Sequence, residues 1–138
     1  MSRITNDPNL AHEWEVVGDV IATRTGGAMP QGAWEGFMRA LIRHGVKRIF
    51  ALVVGPATLN TNQSKHGAET FKARNIEAVV VTDHRLTRGI VTALAWQGVN
   101  ITGFSWAELE RALVHVSRSA EQQLALEQIA HRCRRELG

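Results

Sequence analysis

The first eleven positions, MSRITNDPNLA, show no apolar period, and Asn6, Asp7, Pro8 and Asn9 favour turns. Residues 1–11 therefore read as a flexible N-terminal segment. EWEVVG and VIATRTGG follow as two short strands around Gly18-Asp19, a pair suited to a hairpin turn. Pro30 fits the first position of a helix, where its missing N–H costs nothing. Trp34, Phe37, Met38, Leu41 and Ile42 then recur at spacings of three and four, and Gly45 stops the stripe.

The period then changes. VKRIFALVVG is apolar without alternation, as a strand buried on both faces is, and IEAVVVTD repeats the pattern. Between them ATLNTNQSKHGAETFKARN has helical length but only Leu59, Ala68 and Phe71 to face a core. HRLTRGIVTALAWQG predicts a helix with Leu86, Ile90 and Leu94 in line and Val91 beside them, closed by Gly98. VNITGF predicts a last short strand. Ser105 with Glu108 forms a capping box for the next helix, and Ser119 with Gln122 suggests a second one. The stripe beyond it is Leu126, Ile129, Ala130, Cys133 and Leu137.

The elements run ββαβαβαβα. Strands separated by single helices lie parallel with right-handed crossovers, and the opening hairpin is antiparallel. The expected fold is α/β, a mixed sheet of four to five strands with helices on both faces. Residues 12–117 form that domain, and residues 118–138 an amphipathic C-terminal helix.

The sequence resembles the SpoIIAA-like group of the STAS/SEC14-like superfamily. The stretches that carry the resemblance are GDVIATRTGGAMPQGAWEGFMRALI, RIFALVVGPATLNTNQSKHGAETF and above all IEAVVVTDHRLTRGIVTALAWQGVNITGFSWAELERAL. They span residues 14–116 and match by element order and pattern, with no catalytic signature. The resemblance implies a regulatory protein-binding module that meets partners through the helix after the central strand. In many STAS domains a serine or threonine after that strand is phosphorylated. Here the stretch is GPATLNTNQSKHG, without an Asp-Ser-Ser-Gly-like signature, and Thr58, Thr61 and Ser64 are the nearest hydroxyls. SEC14-type relatives bind lipids in a large apolar cavity, which this chain is too short to build.

Composition narrows the classes. The chain has 138 residues, 44% of them hydrophobic and 21% charged, enough for one domain. No charged-then-apolar leader opens it, and runs such as IFALVV fall far short of the ~20 residues that span a bilayer. A cytoplasmic location is expected. Cys133 is the single cysteine, so no internal disulfide or Cys-based zinc knuckle can form. Net charge is +3, tyrosine is absent, and no Lys/Arg block is long enough for a nucleic-acid arm, so nucleic-acid binding is not favoured. No two of the six histidines stand three or four apart, and no Walker or G-x-G-x-x-G pattern occurs. No metal or cofactor is indicated.

Candidate chemistry gathers where ligands bind in open α/β sheets, beyond the carboxyl ends of the strands. Two segments leave parallel strands there. If those strands are neighbours, Thr58, Asn60, Thr61 and Ser64 lie near Asp83, His84, Arg85 and Arg88. Hydroxyls, amides and cations around helix N-termini suit a phosphate, a carboxylate or an acidic partner. The alternative is that Thr58 or Asn60 and Asp83 only cap their helices while the arginines point into water. Asp83 and His84 are adjacent, so they cannot face each other as a dyad. No nucleophile motif supports an enzyme.

Three functions stand. A non-enzymatic binding module would use the helix bearing Lys65 and Phe71 together with the Asp83–Arg88 edge. A small-anion or small-ligand domain would use that same edge. A self-assembling unit, such as a homodimer, would pair through Leu126, Ile129, Cys133 and Leu137, unless that stripe packs back on its own sheet.

Overall fold

Gly18, at a φ of 62° that side chains resist, turns strand β1 (His12–Val17) back into β2 (Val20–Thr25). The computed structural model describes residues 3–137. Helix α1 (Gln31–Arg43) leads to β3 (Arg48–Val53), α2 (Thr61–Ala73) to β4 (Glu77–Val81), and α3 (Arg85–Trp96) to β5 (Ile101–Phe104). A 3-10 turn (Trp106–Glu108), α4 (Leu109–Val116), α5 (Ala120–Arg134) and a second 3-10 turn (Arg135–Leu137) follow.

The sheet order is β1-β2-β3-β4-β5, antiparallel at the first pair and parallel thereafter. Each crossover steps one strand in the same direction. Right-handed crossovers of that kind put α1, α2 and α3 on one face. The strands' alternation follows: Ile21, Ile49 and Ala78 join the core beneath those helices. Val20, Ala22, Phe50, Leu52, Val79 and Val81 join the opposite core, under α4 and α5. Both central strands are thus apolar on both sides, as their unbroken runs require.

Several expectations need correction. Residues 4–10 are tied down: Ile4 is buried, and the guanidinium of Arg24 donates from Nη1 to the carbonyls of Asp7 (3.0 Å) and Leu10 (2.6 Å). Pro30 is the N-cap of α1 and not its first residue. Ser119 accepts from Gln122 N (3.1 Å), but the Gln122 side chain accepts from Arg118 N, so only half of a second capping box forms.

The C-terminal stripe is spent inside the chain. Leu126, Ile129, Ala130 and Cys133 are buried in the core beneath α4 and α5, and only Leu137 remains partly exposed. Assembly through Leu126, Ile129 and Cys133 therefore has no free surface. Burial also pushes the Cys133 thiol up to about 11, so it is an unreactive packed group at neutral pH.

Candidate functional site

β3 and β4 are neighbours, so the segments after them do leave the sheet side by side. The loop after β3 pairs with the loop after β2 through an isolated bridge, Ala28 with Thr58. Thr87, in the first turn of α3, donates its hydroxyl to the carbonyl of Ala57 (2.9 Å) and ties α3 to that loop.

The polar side chains expected to share one site nonetheless divide among three places. Asn60, Thr61, Ser64 and Lys65 line a shallow depression with Gln97, at the far end of α3. Arg88 lines another with Thr82, Ser105 and Glu108. Hydrogen bonds from the Ser105 N–H and hydroxyl hold the exposed Glu108 carboxyl below its usual range, aided by the charges of Arg111 and Arg88. Arg88 thus already faces a carboxylate. Thr58 lines an apolar cavity instead. Among the sought cations only Arg85, with half-buried His84, stays outside these depressions.

The caps are also redistributed. Asn60 caps α2 in a full capping box with Gln63, each accepting from the other's backbone N–H (2.8 and 3.0 Å). Asp83 does not cap α3: its carboxylate accepts from Trp106 N (3.1 Å) and fixes the turn after β5. His84 is the N-cap of α3, without a side-chain cap bond.

The predicted partner helix is held more firmly than its apolar count suggests. Gly67 lets α2 close on α1, since a Cβ there would stand 3.1 Å from the Trp34 ring. Gln63 is buried and donates to the Met29 carbonyl and the Gln31 side chain, both at 3.1 Å. The Trp34 indole donates to His66 Nδ1 (3.2 Å). Phe71 is 6% exposed and packs in the core, so it cannot belong to a partner surface. Lys65 is exposed and remains available.

Two features had no reading in the sequence. The first is a cavity of about 120 Å³ between the sheet and α1 to α3. Ala51 and Val80 floor it, and Phe37, Phe71, Val91 and Leu94 wall it. His12 also lines it; its Nδ1 lies 3.0 Å from Thr25 Oγ1, and its ring meets Phe37 edge-on at 5.4 Å. Nε2 is buried with no partner among the described residues. Burial lowers this imidazole to about 4, with Glu13 pulling upward and Arg24 downward, so it is neutral at pH 7. The cavity is well below the ~300–1,000 Å³ of ordinary ligand pockets, and no long lipid fits it.

The second is the outer face of α3. Leu86 was expected in the core but is 59% exposed, and Trp96 is 86% exposed. Gly89 and Ala93 lie between them, also exposed, at spacings that put all four on one side of the helix. An apolar strip thus faces outward with Arg85 and Arg88 at its N-terminal end.

A five-stranded mixed sheet with three crossover helices on one face and C-terminal helices on the other is the STAS-type fold. Among solved structures, the anti-sigma factor antagonist SpoIIAA in its unphosphorylated form matches with a TM-score of 0.51 and 11% identity. The match covers 78% of this chain and 100% of that one. At that identity the likeness establishes the fold alone. No family model and no curated protein matches the sequence. No helix among the described residues is long and apolar enough to cross a membrane.

Proposed function

We propose that this chain is a regulatory protein-binding module whose contact surface is the outer face of α3. The carrying observation is the exposed strip Leu86–Gly89–Ala93–Trp96, with tryptophan at 86% exposure. Large exposed aromatics next to arginines are the residue types that dominate binding interfaces. The STAS-type fold supports the reading, since SpoIIAA is an antagonist of an anti-sigma factor, a protein acting on a protein. Arg85 favours an acidic rim on the partner, and Lys65 on α2 extends the basic margin.

The test is affinity capture from the source cell with the full chain, then titration of the captured protein against variants. Trp96→Ser should weaken binding by at least about 30-fold, the size of an interface hot spot. Lys65→Glu should slow association and lower its salt dependence. Both positions are exposed, so the melting temperature should hold. Equal affinity of wild type and Trp96→Ser would rule out this face.

A second reading, small-ligand binding, is favoured by the cavity. An empty apolar void is destabilising, and one near this size accepts benzene-like molecules. Bound benzene should raise the melting temperature by about 4 °C at tenfold excess over its dissociation constant. Ala51→Leu, which fills the floor, should abolish the rise. No shift in the wild-type chain would eliminate the reading.

A further inference from the structure

Three metal-ligating side chains converge on the opposite face of the molecule from the α3 strip. Glu127 and His131 stand four residues apart on α5, one turn over the other, and Glu110 reaches them from α4. One ligand atom from each lies within 4.8 Å of the other two. Glu110 and His131 are exposed and Glu127 is half-buried.

The electrostatics leave this group uncompensated. No member of the trio has an ion-pair partner among the described residues. The arginines beside them in sequence are engaged elsewhere: Arg111 pairs with Glu108 (2.6 Å) and Arg132 with Glu15 (3.8 Å). Two carboxylates therefore approach each other beside an imidazole with no cation between them, in a chain whose net charge is positive.

We propose that Glu110, Glu127 and His131 bind a divalent first-row transition ion, for which Zn²⁺ is the probe. An imidazole nitrogen with two carboxylate oxygens is a borderline donor set, suited to such ions and poor for Ca²⁺ or Mg²⁺, which seek oxygen alone. Ligands at ~2.0–2.2 Å around a tetrahedral ion stand about 3.4 Å apart. Rotamer changes in side chains at the surface close that difference. Two carboxylates neutralise the dication, and the three protein ligands leave a position open to water or to a partner's side chain. The ion would clamp α4 to α5 across their packing contact. Its sequence signal is weak, because Glu-x-x-x-His is half a site and the third ligand comes from another helix.

The experiment is titration of the full chain, free of any polyhistidine tag, with ZnCl₂ by calorimetry and with Co²⁺ by visible absorption. A saturable 1:1 isotherm is expected, together with a melting temperature raised by Zn²⁺ and returned by chelation. His131→Ala, Glu127→Gln and Glu110→Gln should each weaken Zn²⁺ by roughly tenfold or more, as loss of an outer-shell partner alone already can. Glu121→Gln, also on α5 but outside the trio, should bind as wild type does. None of these side chains is fully buried, and an unaltered metal-free melting temperature will show that the variants fold. Absence of a 1:1 isotherm, or unchanged affinity in any of the three ligand variants, overturns the site.

Discussion

Arg24→Met should cost about 3–5 kcal/mol of stability, read as a fall in the urea midpoint at constant slope. Arg24 sits near the end of β2 with its side chain 4% exposed. It meets Glu136 in a forked pair, Nη2 to Oε1 at 2.5 Å and Nε to Oε2 at 3.0 Å, while Nη1 lies 3.6 Å from Glu13. Its Nη1 bonds to Asp7 and Leu10 hold the N-terminal segment to the sheet. Glu13 in turn accepts from the backbone N–H of Thr5 (2.8 Å). One guanidinium therefore joins the chain's beginning, its sheet and its last turn. Methionine keeps much of the volume but leaves two carboxylates, one of them almost wholly buried, without a counter-charge. Lysine at this position should recover part of the loss only, because a point charge cannot form the fork.

The same network fixes the sign of a pH effect. Burial alone would raise the Glu136 carboxyl, but the hydrogen bonds from Arg24 and Asn6 and the charge of Arg24 outweigh it, leaving it below its ordinary 4.5. A depressed carboxylate stabilises the fold above its unfolded value and loses that contribution as pH falls through the folded one. In Arg24→Met the unpaired carboxylates would instead be relieved by protonation. The stability gap between wild type and variant should narrow as pH drops from 7 towards 4. A loss below 1 kcal/mol at pH 7, or a gap independent of pH, would show that the clamp is not electrostatic.

What the sequence disclosed and what it hid divide along physical lines. Runs such as RIFALVV announce strands buried on both faces, because no solvated position interrupts them. Strand order is not so announced: right-handed crossovers serve a sheet that steps one way and one that doubles back alike, and the order β1-β2-β3-β4-β5 appears only in the structure. Binding-site geometry was less legible, because polar atoms entered the core wherever a partner awaited them. Thr87 reads as a surface residue, yet it is buried because its hydroxyl reaches the Ala57 carbonyl. That rotates α3, so Leu86 turns outward and the apolar line Leu86–Ile90–Leu94 misplaces the helix. Gln63 and Gly67 anchor α2 without being apolar, so counting hydrophobic residues understates its hold, and Phe71, one of its three core candidates, is spent on that packing and not on a partner. Arg24 and Glu136 are 112 positions apart and carry no local signal of their pairing. The cavity is formed by what α1, α2 and α3 fail to fill, and a one-dimensional pattern does not record a void.

Trp106→Ala should be comparably severe, at about 3–5 kcal/mol, and its companions separate packing from hydrogen bonding. Trp106 is 3% exposed and lies in the core beneath α4 and α5. Its indole N–H donates to the carbonyl of Val53, the last residue of β3, at 2.9 Å. Its backbone N–H donates to Asp83 at 3.1 Å. The second residue after the edge strand thus reaches back to the central strand, while the loop after β4 holds it by the backbone. Trp106→Phe keeps most of the ring and strands the buried Val53 carbonyl, which should cost about 1–3 kcal/mol. Asp83→Ala removes only the turn's acceptor and should cost about 1 kcal/mol, the size of a lost cap, whereas Asp83→Asn keeps an acceptor and should come close to wild type. If Asp83→Ala instead lowered helicity without disturbing the near-ultraviolet tryptophan signal, Asp83 would be a cap of α3 after all. The expected result is the reverse: a changed tryptophan signal with the helix content of α3 intact. The carboxylate at the start of that basic helix then serves the turn behind it, and Arg85, without an ion-pair partner among the described residues, stands at the tip of the exposed strip.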